Sequence, residues 1–280
     1  MDPIAVITGG AGGMGLATAK LLGRNHRIVI ADLDRERLDD AVAELHGLGV
    51  DASSTVCDIT DPASVDALLD RAEAGGHVRA VIHTAGVSPQ MGDAEFIFRV
   101  NVAGTVNITR SYLRRAGAGD VLVNVASIAG HMSPGLLQPR RAFRLALSDL
   151  AACERKLVAS TKVMPEGARP GLAYTTSKAF VLWYCRRMAQ AFGAQGARIL
   201  SVSPGTFDTA MGRLEEKSGS GDLVGYSALK RSGDPDEIAS VLAFAASEAP
   251  GYLTGTDILV DGGTKAGLGL RGIIALARRR

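Results

Sequence analysis

Short apolar runs rich in valine and isoleucine alternate with longer amphipathic stretches along most of the chain. Apolar runs without polar alternation are typical of parallel strands that are covered on both faces, and amphipathic stretches predict helices. The predicted strands comprise residues 4–8, 27–32, 54–58, 80–86, 121–127, 197–205 and 258–263. The predicted helices comprise residues 14–24, 34–47, 62–73, 94–116, 171–193 and 234–247. This alternation predicts an α/β fold with one doubly wound, mostly parallel, seven-stranded sheet.

Two segments depart from the alternation. Residues 128–170 predict an inserted helical segment, in which an apolar stripe is shared by Phe143, Leu147, Leu150 and Leu157. Residues 206–233 include a serine- and glycine-rich stretch at 218–222 and predict a mobile loop that lines the substrate site. Since neither an internal repeat nor a linker is visible, residues 1–280 are interpreted as a single domain.

Composition narrows the classes of function. The chain has 280 residues, 46% of them hydrophobic, and a formal net charge of +2, so nothing indicates a nucleic-acid partner. Three scattered cysteines (Cys57, Cys153 and Cys185) argue against a disulfide framework and against a zinc site, and no other metal is predicted. We see no targeting segment and no apolar run of membrane-spanning length, and we expect a cytoplasmic protein.

The C-terminal segment, residues 268–280, combines a short apolar run with several arginines. A loosely packed tail is the expected interpretation, and contact with a membrane surface is the alternative.

A glycine-rich stretch, TGGAGGMG from Thr8 to Gly15, joins the first predicted strand to the first predicted helix. Glycines at such a junction allow a tight turn and close approach to a pyrophosphate, which the free amides of the helix N-terminus then bind. Gly13 and Gly15 fit the GxGxxG spacing, whereas Thr18 occupies the third glycine position. The stretch predicts a phosphate site in a Rossmann-like fold, and a plain turn is the alternative.

Two aspartates end predicted strands at the same edge of the sheet. Asp32 ends the second strand, where a carboxylate accepts hydrogen bonds from the adenosine ribose and repels a 2′-phosphate. We therefore expect NAD in preference to NADP, although the nearby Arg35 weakens that preference. Asp58 ends the third strand and is expected to contact the adenine end. For both aspartates, a helix cap is the alternative.

Tyr174 and Lys178 are four residues apart in a predicted helix and therefore lie on one face. A nearby cation lowers the pKa of a phenol, which otherwise titrates near pH 10, by favouring the phenolate. The alternative is an ordinary amphipathic helix with a half-buried tyrosine and a solvated lysine. The predicted nucleotide site upstream favours the catalytic interpretation, as do three polar residues expected at the same sheet edge, Thr84, Asn101 and Ser127.

Taken in order, these motifs resemble the short-chain dehydrogenase/reductase family over nearly the whole chain. The matching stretches are TGGAGGMG (8–15), Asp32, DIT (58–60), Ala85-Gly86, Asn101 in VNVAG, Ser127 in ASIAG, YTTSK (174–178), PGTFDT (204–209) and DGG (261–263). The resemblance implies reversible hydride transfer between NAD(H) and a secondary alcohol or ketone, with Tyr174 as general acid/base.

The resemblance also implies the roles of the other site residues. Lys178 would bind the nicotinamide ribose and lower the pKa of Tyr174, Ser127 would hold the substrate oxygen, and Asn101 would order a water. The implied cofactor-binding residues are Thr8, Gly9, Gly13, Met14, Gly15, Asp32, Asp58, Ile59, Thr84, Ala85, Gly86, Tyr174, Lys178, Pro204, Gly205, Phe207 and Thr209.

The chain departs from the family pattern at three places. Thr84 stands where the family usually has the second of two asparagines, the interval from Gly86 to Asn101 is short, and the stretch between Ser127 and Tyr174 is unusually long. This combination is similar to the branch of the bacterial 3α-hydroxysteroid dehydrogenase/carbonyl reductase. That similarity implies a hydrophobic, steroid- or carbonyl-type substrate and a homodimer in preference to the usual tetramer.

Apolar candidates for the substrate pocket are Val87, Ile128, Met132, Leu136 and Met211, and His131 either contacts substrate or has no specific role. Two other functions remain open from the sequence. One is a catalytically silent NAD-binding sensor, which the intact Ser127, Tyr174 and Lys178 disfavour. The other is a sugar-nucleotide epimerase, which would need a larger C-terminal substrate domain.

Overall fold

The computed structural model describes residues 2–133, 135–215 and 222–268. Its centre is a single sheet of seven parallel strands in the order β3-β2-β1-β4-β5-β6-β7. The strands are β1 (Ile4–Thr8), β2 (Arg27–Asp32), β3 (Ala52–Val56), β4 (Val78–His83), β5 (Val121–Val125), β6 (Arg198–Pro204) and β7 (Asp257–Val260). The order reverses between β1 and β4, and ligands of such sheets bind at the carboxyl ends of the strands beside this switch point.

Helices cover both faces of the sheet. They are α1 (Gly13–Leu22), α2 (Arg35–Gly47), α3 (Pro62–Gly75), α4 (Ala94–Phe98), α5 (Thr105–Leu113), α6 (Ile128–Met132), α7 (Arg140–Leu145), α8 (Leu150–Thr161), α9 (Arg169–Ala194), α10 (Ala210–Glu215), α11 (Asp222–Tyr226) and α12 (Pro235–Ala246). Helices α1, α2 and α12 pack on one face, and α3, α5 and α9 pack on the other. The predicted α/β fold and single domain are confirmed.

Aspartate side chains set the first residue of five helices. The N-cap carboxylates of α2, α3, α4, α8 and α12 each accept a hydrogen bond from a first-turn amide, and these residues are Asp34, Asp61, Asp93, Asp149 and Asp234. Each such cap stabilises a helix by about 1 kcal/mol. Helix α1 differs, because its N-cap is Gly12 and no side chain accepts from its first turn.

Two predicted elements are shifted or interrupted. The predicted helix 94–116 contains a π-helical segment, Arg99–Gly104, between α4 and α5. Strand β3 lies two residues earlier than predicted, because its last pair with β2 joins Val56 to Asp32 and the chain then turns at Asp58. Hydrophobic patterns mark elements well but locate their ends to within only a few residues.

The inserted segment consists of α6, α7, α8 and a 3₁₀ turn, Glu166–Ala168. The residues of the predicted apolar stripe do not lie on one continuous helix. Helix α7 ends at Leu145, and α8 begins after a new N-cap, Asp149. Phe143 and Leu157 are nevertheless fully buried against α4 and α9. The ring of Phe143 meets that of Phe180 edge-on at 5.3 Å, which fixes the insertion to the helix that carries Tyr174.

Most of the stretch 218–222, predicted to be mobile, and nearly all of the tail 268–280 lie outside the described residues. Within the described ranges, no helix combines the length and apolar character that a bilayer crossing requires.

Candidate active site

The turn after β1 is shaped to receive a phosphate. Gly9 and Gly13 have φ angles of +68° and +53°, in the region that favours glycine. A Cβ on Gly15 would collide with the carbonyl oxygen of Gly9, and a Cβ on Gly9 would lie 2.8 Å from the amide nitrogen of Ala85. The first-turn amides of α1 have no side-chain cap, so this helix N-terminus suits an anion. The residues present fit the pyrophosphate of a dinucleotide.

Thr18, which occupies the third glycine position of the motif, makes a hydrogen bond within α1. Thr18 is buried, and its hydroxyl donates to the carbonyl of Met14 at 2.6 Å within α1. Its side chain is therefore satisfied inside the helix and does not face the turn.

Threonines tie the ends of β1 and β4 together at the switch point. The Thr84 hydroxyl donates to the Thr8 carbonyl at 2.7 Å, and the Thr8 hydroxyl lies 2.7 Å from Nδ1 of His83. Burial, and secondarily the positive charge of Lys178, lower the pKa of His83 to about 3. His83 is therefore neutral at physiological pH, a feature that the sequence analysis missed although the residue stands next to Thr84.

The two aspartates at the strand ends are not helix caps. Asp34, not Asp32, caps α2, and the Asp32 carboxylate accepts from the amide of Leu33 at 2.8 Å. Asp61, not Asp58, caps α3, and Asp58 accepts from the amide of Thr60 at 2.8 Å. The cap alternative raised from the sequence is therefore wrong for both Asp32 and Asp58.

Side chains of two helices contact the turn after β1 and the loop after β3. The Arg37 guanidinium of α2 donates to the Ala11 carbonyl at 3.4 Å and so lies along the glycine-rich turn. Asn107 of α5 donates to the backbone carbonyls of Ile59 and Thr60 at 3.0 and 3.2 Å. These bonds hold the loop after β3 against α5, with the Ile59 side chain buried.

Asn101 lies in the π-helical segment and organises the loop after β4. Its side chain accepts from the Val87 amide at 2.9 Å and donates to the Val87 carbonyl at 3.0 Å and to the Ser177 hydroxyl at 3.2 Å. Its backbone carbonyl accepts from the Thr105 hydroxyl at 2.8 Å. A Cβ on Gly86 would lie 3.1 Å from Asn101 Oδ1 and 3.5 Å from Lys178 Nζ, so this glycine brings Asn101 near Lys178.

Lys178 lies beside Tyr174 and contacts the carboxyl end of β5, from which the chain continues to Ser127. Residue Lys178 is 8% exposed. Its amine donates to the Val125 carbonyl at 3.1 Å and lies 5.8 Å from the centre of the Tyr174 ring. Ser127, two residues after Val125, is the N-cap of α6 and accepts from the Ala129 amide at 3.1 Å.

Helix α6 contacts α9 directly at Lys178. A Cβ on Gly130 would lie 2.7 Å from the carbonyl carbon of Lys178, so no larger residue fits between the two helices. The sequence analysis missed this glycine, because its need for space depends on a helix far along the chain.

The segment after β6 returns to the glycine-rich turn. The Gly205 amide following Pro204 donates to the Val260 carbonyl at 2.8 Å, and Phe207 is buried against Gly233. The Thr209 methyl group lies 3.7 Å from where a Cβ on Gly13 would stand.

The candidate pocket residues divide into three groups. Val87 and Ile128 are buried, and Met132 and Met211 are half-buried. Leu136 is fully exposed, so its predicted place in an apolar lining is wrong. His131 bonds to Asp257 at 2.8 Å and to Ser203 at 3.1 Å, both of which belong to strands of the sheet.

Known proteins are similar to this chain over most of its length. A family model described as short chain dehydrogenase matches residues 3–172, and one described as enoyl-(acyl carrier protein) reductase matches residues 150–265. The chain is 31% identical over 275 residues to short-chain dehydrogenase/reductase bsc3 of Alternaria brassicicola, covering 95% of this chain and 97% of that one. It is 28% identical over 279 residues to 3beta-hydroxysteroid dehydrogenase 2 of Eggerthella lenta, covering 94% of each.

Among solved structures, the crystal structure of gox2181 matches with a TM-score of 0.74 at 27% identity, covering 95% of this chain and 96% of that chain. With the fold, the glycine-rich turn and the extent of these matches in agreement, the chain belongs to the short-chain dehydrogenase/reductase family, whose members are oxidoreductases that bind nicotinamide cofactors.

Proposed function

We propose that the protein is an NAD(H)-dependent oxidoreductase that interconverts a hydrophobic secondary alcohol and its ketone. The observation that carries this proposal is the placement of the Lys178 amine, 5.8 Å from the Tyr174 ring and hydrogen-bonded to the strand end next to Ser127. This arrangement suits proton transfer at a substrate oxygen.

Tyr174 is the proposed general acid/base. In oxidation its phenolate takes the proton of the alcohol, and in reduction its hydroxyl returns a proton to the carbonyl oxygen. The Lys178 cation favours the phenolate, as a positive charge within about 4–6 Å does. General acid/base assistance of this kind accelerates a reaction by about 10²–10⁴-fold.

Ser127 is the proposed hydrogen-bond donor to the substrate oxygen. Its Oγ already accepts from the Ala129 amide, and a hydroxyl has a single proton that rotates to suit its acceptor. The hydroxyl proton can therefore be donated to a substrate oxygen while Oγ keeps its bond to the Ala129 amide. A fixed donor stabilises the negative charge that develops on the oxygen during the reaction.

A bound nicotinamide dinucleotide supplies the hydride donor or acceptor. The amides of the turn from Gly9 to Gly15 would hold its pyrophosphate, and the segment from Pro204 to Thr209 would hold its carboxamide end. The Asp32 carboxylate, which caps no helix, is available to accept from the ribose hydroxyls and would repel a 2′-phosphate. This supports NAD in preference to NADP, with Asp58 and Ile59 at the adenine end.

The buried apolar side chains of Ile128, which follows Ser127 in the chain, and of Val87, which is bonded to Asn101, support a hydrophobic alcohol of steroid or carbonyl type. One relative is a 3beta-hydroxysteroid dehydrogenase, which supports the same substrate class. Helix α8 of the insertion packs over α4, which reduces the surface open to a partner and supports a homodimer. The buried, free cysteines are compatible with a cytoplasmic enzyme.

Turnover of a panel of secondary alcohols, hydroxysteroids included, tests the proposal by the absorbance of NADH. Tyr174→Phe should lower kcat by about 10²–10⁴-fold, because it removes only the hydroxyl, and should leave the Kd of NAD within about twofold by calorimetry. Tyr252→Phe is the matched control, because Tyr252 is fully exposed. Full activity of Tyr174→Phe would contradict the role of Tyr174, and NAD binding by the wild type without turnover of any alcohol would favour the sensor.

A further inference from the structure

A histidine lies at the opposite end of α6 from Ser127. Ser127 is the N-cap of this helix and His131 is in its last turn, four residues on, which corresponds to about 6 Å along the axis. The His131 Nε2 atom lies 2.8 Å from Oδ2 of Asp257 on β7 and 3.1 Å from the hydroxyl of Ser203 on β6. The two ends of α6 therefore join the reactive site to the far edge of the sheet.

Asp257 is a buried carboxylate with a complete set of donors. Its side chain is 3% exposed, and its Oδ1 accepts from the hydroxyls of Ser201 and Ser203 at 2.6 and 2.9 Å. Its Oδ2 accepts from His131. A buried carboxylate requires such partners, and hydrogen bonds to a charged group are short and strong. The position of the imidazole is therefore fixed by the sheet.

The proton of His131 is assigned by its neighbours. The Lys265 amine lies 3.3 Å from Nδ1, and an ammonium group can only donate, so Nδ1 accepts and Nε2 carries the hydrogen directed at Asp257. Lys265 is exposed, whereas the bond to Asp257 is partly buried.

Helix α6 is too short to be stable without contacts to the rest of the protein. It has five residues, and isolated helices shorter than about 12 residues are marginal in water. On one side Gly130 leaves no space between α6 and the backbone of Lys178. On the other side His131 bonds to the sheet. Both contacts are needed to define where the helix, and with it Ser127, lies relative to Lys178.

We propose that His131 and Asp257 are positioning residues for the reaction, which set the location of Ser127 through α6. This inference rests on the proposed function, because it assigns a role in the same site. Loss of the His131–Asp257 bond releases the C-terminal end of α6, and Ser127 moves away from the substrate oxygen. A displacement of about 1 Å at a reacting group can lower a rate by about 10²-fold.

The test compares His131→Leu with His131→Gln, in which an amide replaces the donor to Asp257. We expect His131→Leu to lower kcat by roughly 10–10²-fold with the Kd of NAD within about twofold, since the glycine-rich turn is remote from α6. His131→Gln should recover most of the loss. Lys156→Met, at an exposed position of α8, is the control and should keep the wild-type kcat. If His131→Leu kept the wild-type kcat, or weakened NAD binding in parallel, the inference would be overturned.

A double mutant separates positioning from general destabilisation. In a Ser127→Ala background, His131→Leu should lower kcat by less than about twofold, because residues that act as a unit are not additive. If the two losses multiplied instead, His131 would not act through Ser127, and the inference would fail. Asp257→Asn provides the same comparison should His131→Leu not fold, and it should reproduce the loss of kcat and the non-additivity. An inactive wild type would refute the proposed function itself and is recognised before any variant is measured.

Discussion

The buried imidazole of His83 makes a prediction about stability that is independent of catalysis. His83 is 3% exposed and bonded to Thr8, and its pKa is lowered from 6.5 to about 3 by burial and, secondarily, by Lys178. Between these two values the unfolded chain binds a proton that the folded protein does not. Acidification through this range therefore favours the unfolded state, and stability falls as the pH falls from about 6.5 toward 3.

The magnitude follows from linkage. Each pH unit below the unfolded pKa costs about 1.36 kcal/mol as long as the folded imidazole stays neutral. Between about pH 7.5 and about pH 5 the free energy of unfolding should therefore fall by about 2 kcal/mol on account of His83 alone. The fall in the free energy of unfolding between about pH 7.5 and about pH 5 is nearly the same for any pKa of folded His83 below about 4.5. For a domain with about 5–15 kcal/mol of total stability, the effect is large.

The assay is urea unfolding at a fixed protein concentration, followed by the fluorescence of the only tryptophan, Trp183, which packs against Phe143 and Phe180. His83→Asn keeps a polar group beside Thr8 but does not titrate, so the difference between wild type and variant isolates the imidazole from other groups. His26, whose pKa is also lowered by burial, cancels in this difference. Parallel pH dependence of the two proteins would refute a neutral, buried His83.

Three further predictions concern the cofactor site and the insertion. Gly15→Ala should raise the Kd of NAD, measured by calorimetry, at least about tenfold, or about 1.4 kcal/mol, because the added Cβ collides with Gly9. Gly47→Ala is the control and should leave the Kd unchanged, because a Cβ at Gly47 has no neighbour within 4 Å. Asp32→Ser should lower the NAD-to-NADP ratio of kcat/KM by about tenfold, and the α2 cap variant Asp34→Ser should leave that ratio unchanged. Phe143→Ala should cost about 3–5 kcal/mol in urea unfolding, and the exposed Leu137→Ala less than about 0.5 kcal/mol; equal losses would place the insertion outside the folded core.

The sequence was sufficient for features that depend on local spacing. All seven strands were predicted, because buried parallel strands appear as uninterrupted apolar runs. Tyr174 and Lys178 could be paired because one turn of helix separates them, and the glycine-rich turn because it joins β1 directly to α1. In each case the residues concerned are close in the chain.

Features that depend on distant elements could not be predicted in the same way. The pairing of His131 with Asp257 joins residues 126 positions apart, and nothing in either local sequence indicates it. In the sequence His83 is only the last residue of an apolar strand, and its neutral state follows from its burial and its bond to Thr8, which only the structure shows. The interpretation of Asp32 and Asp58 likewise required the observed caps, because several aspartates near each helix start have equal capping propensity.

The insertion can be long without disturbing the site, because both of its ends are fixed at Lys178. Near the start of the insertion, Gly130 of α6 packs against the Lys178 backbone, and at its end the chain enters α9, which carries Lys178 itself. Each doubling of the length of a flexible loop costs only about 0.6 kcal/mol in closure entropy. The burial of Phe143 on Phe180, two residues beyond Lys178, offsets such a cost several times over. The contacts of α6 with α9 therefore hold Lys178 in a position that the length of the insertion does not determine.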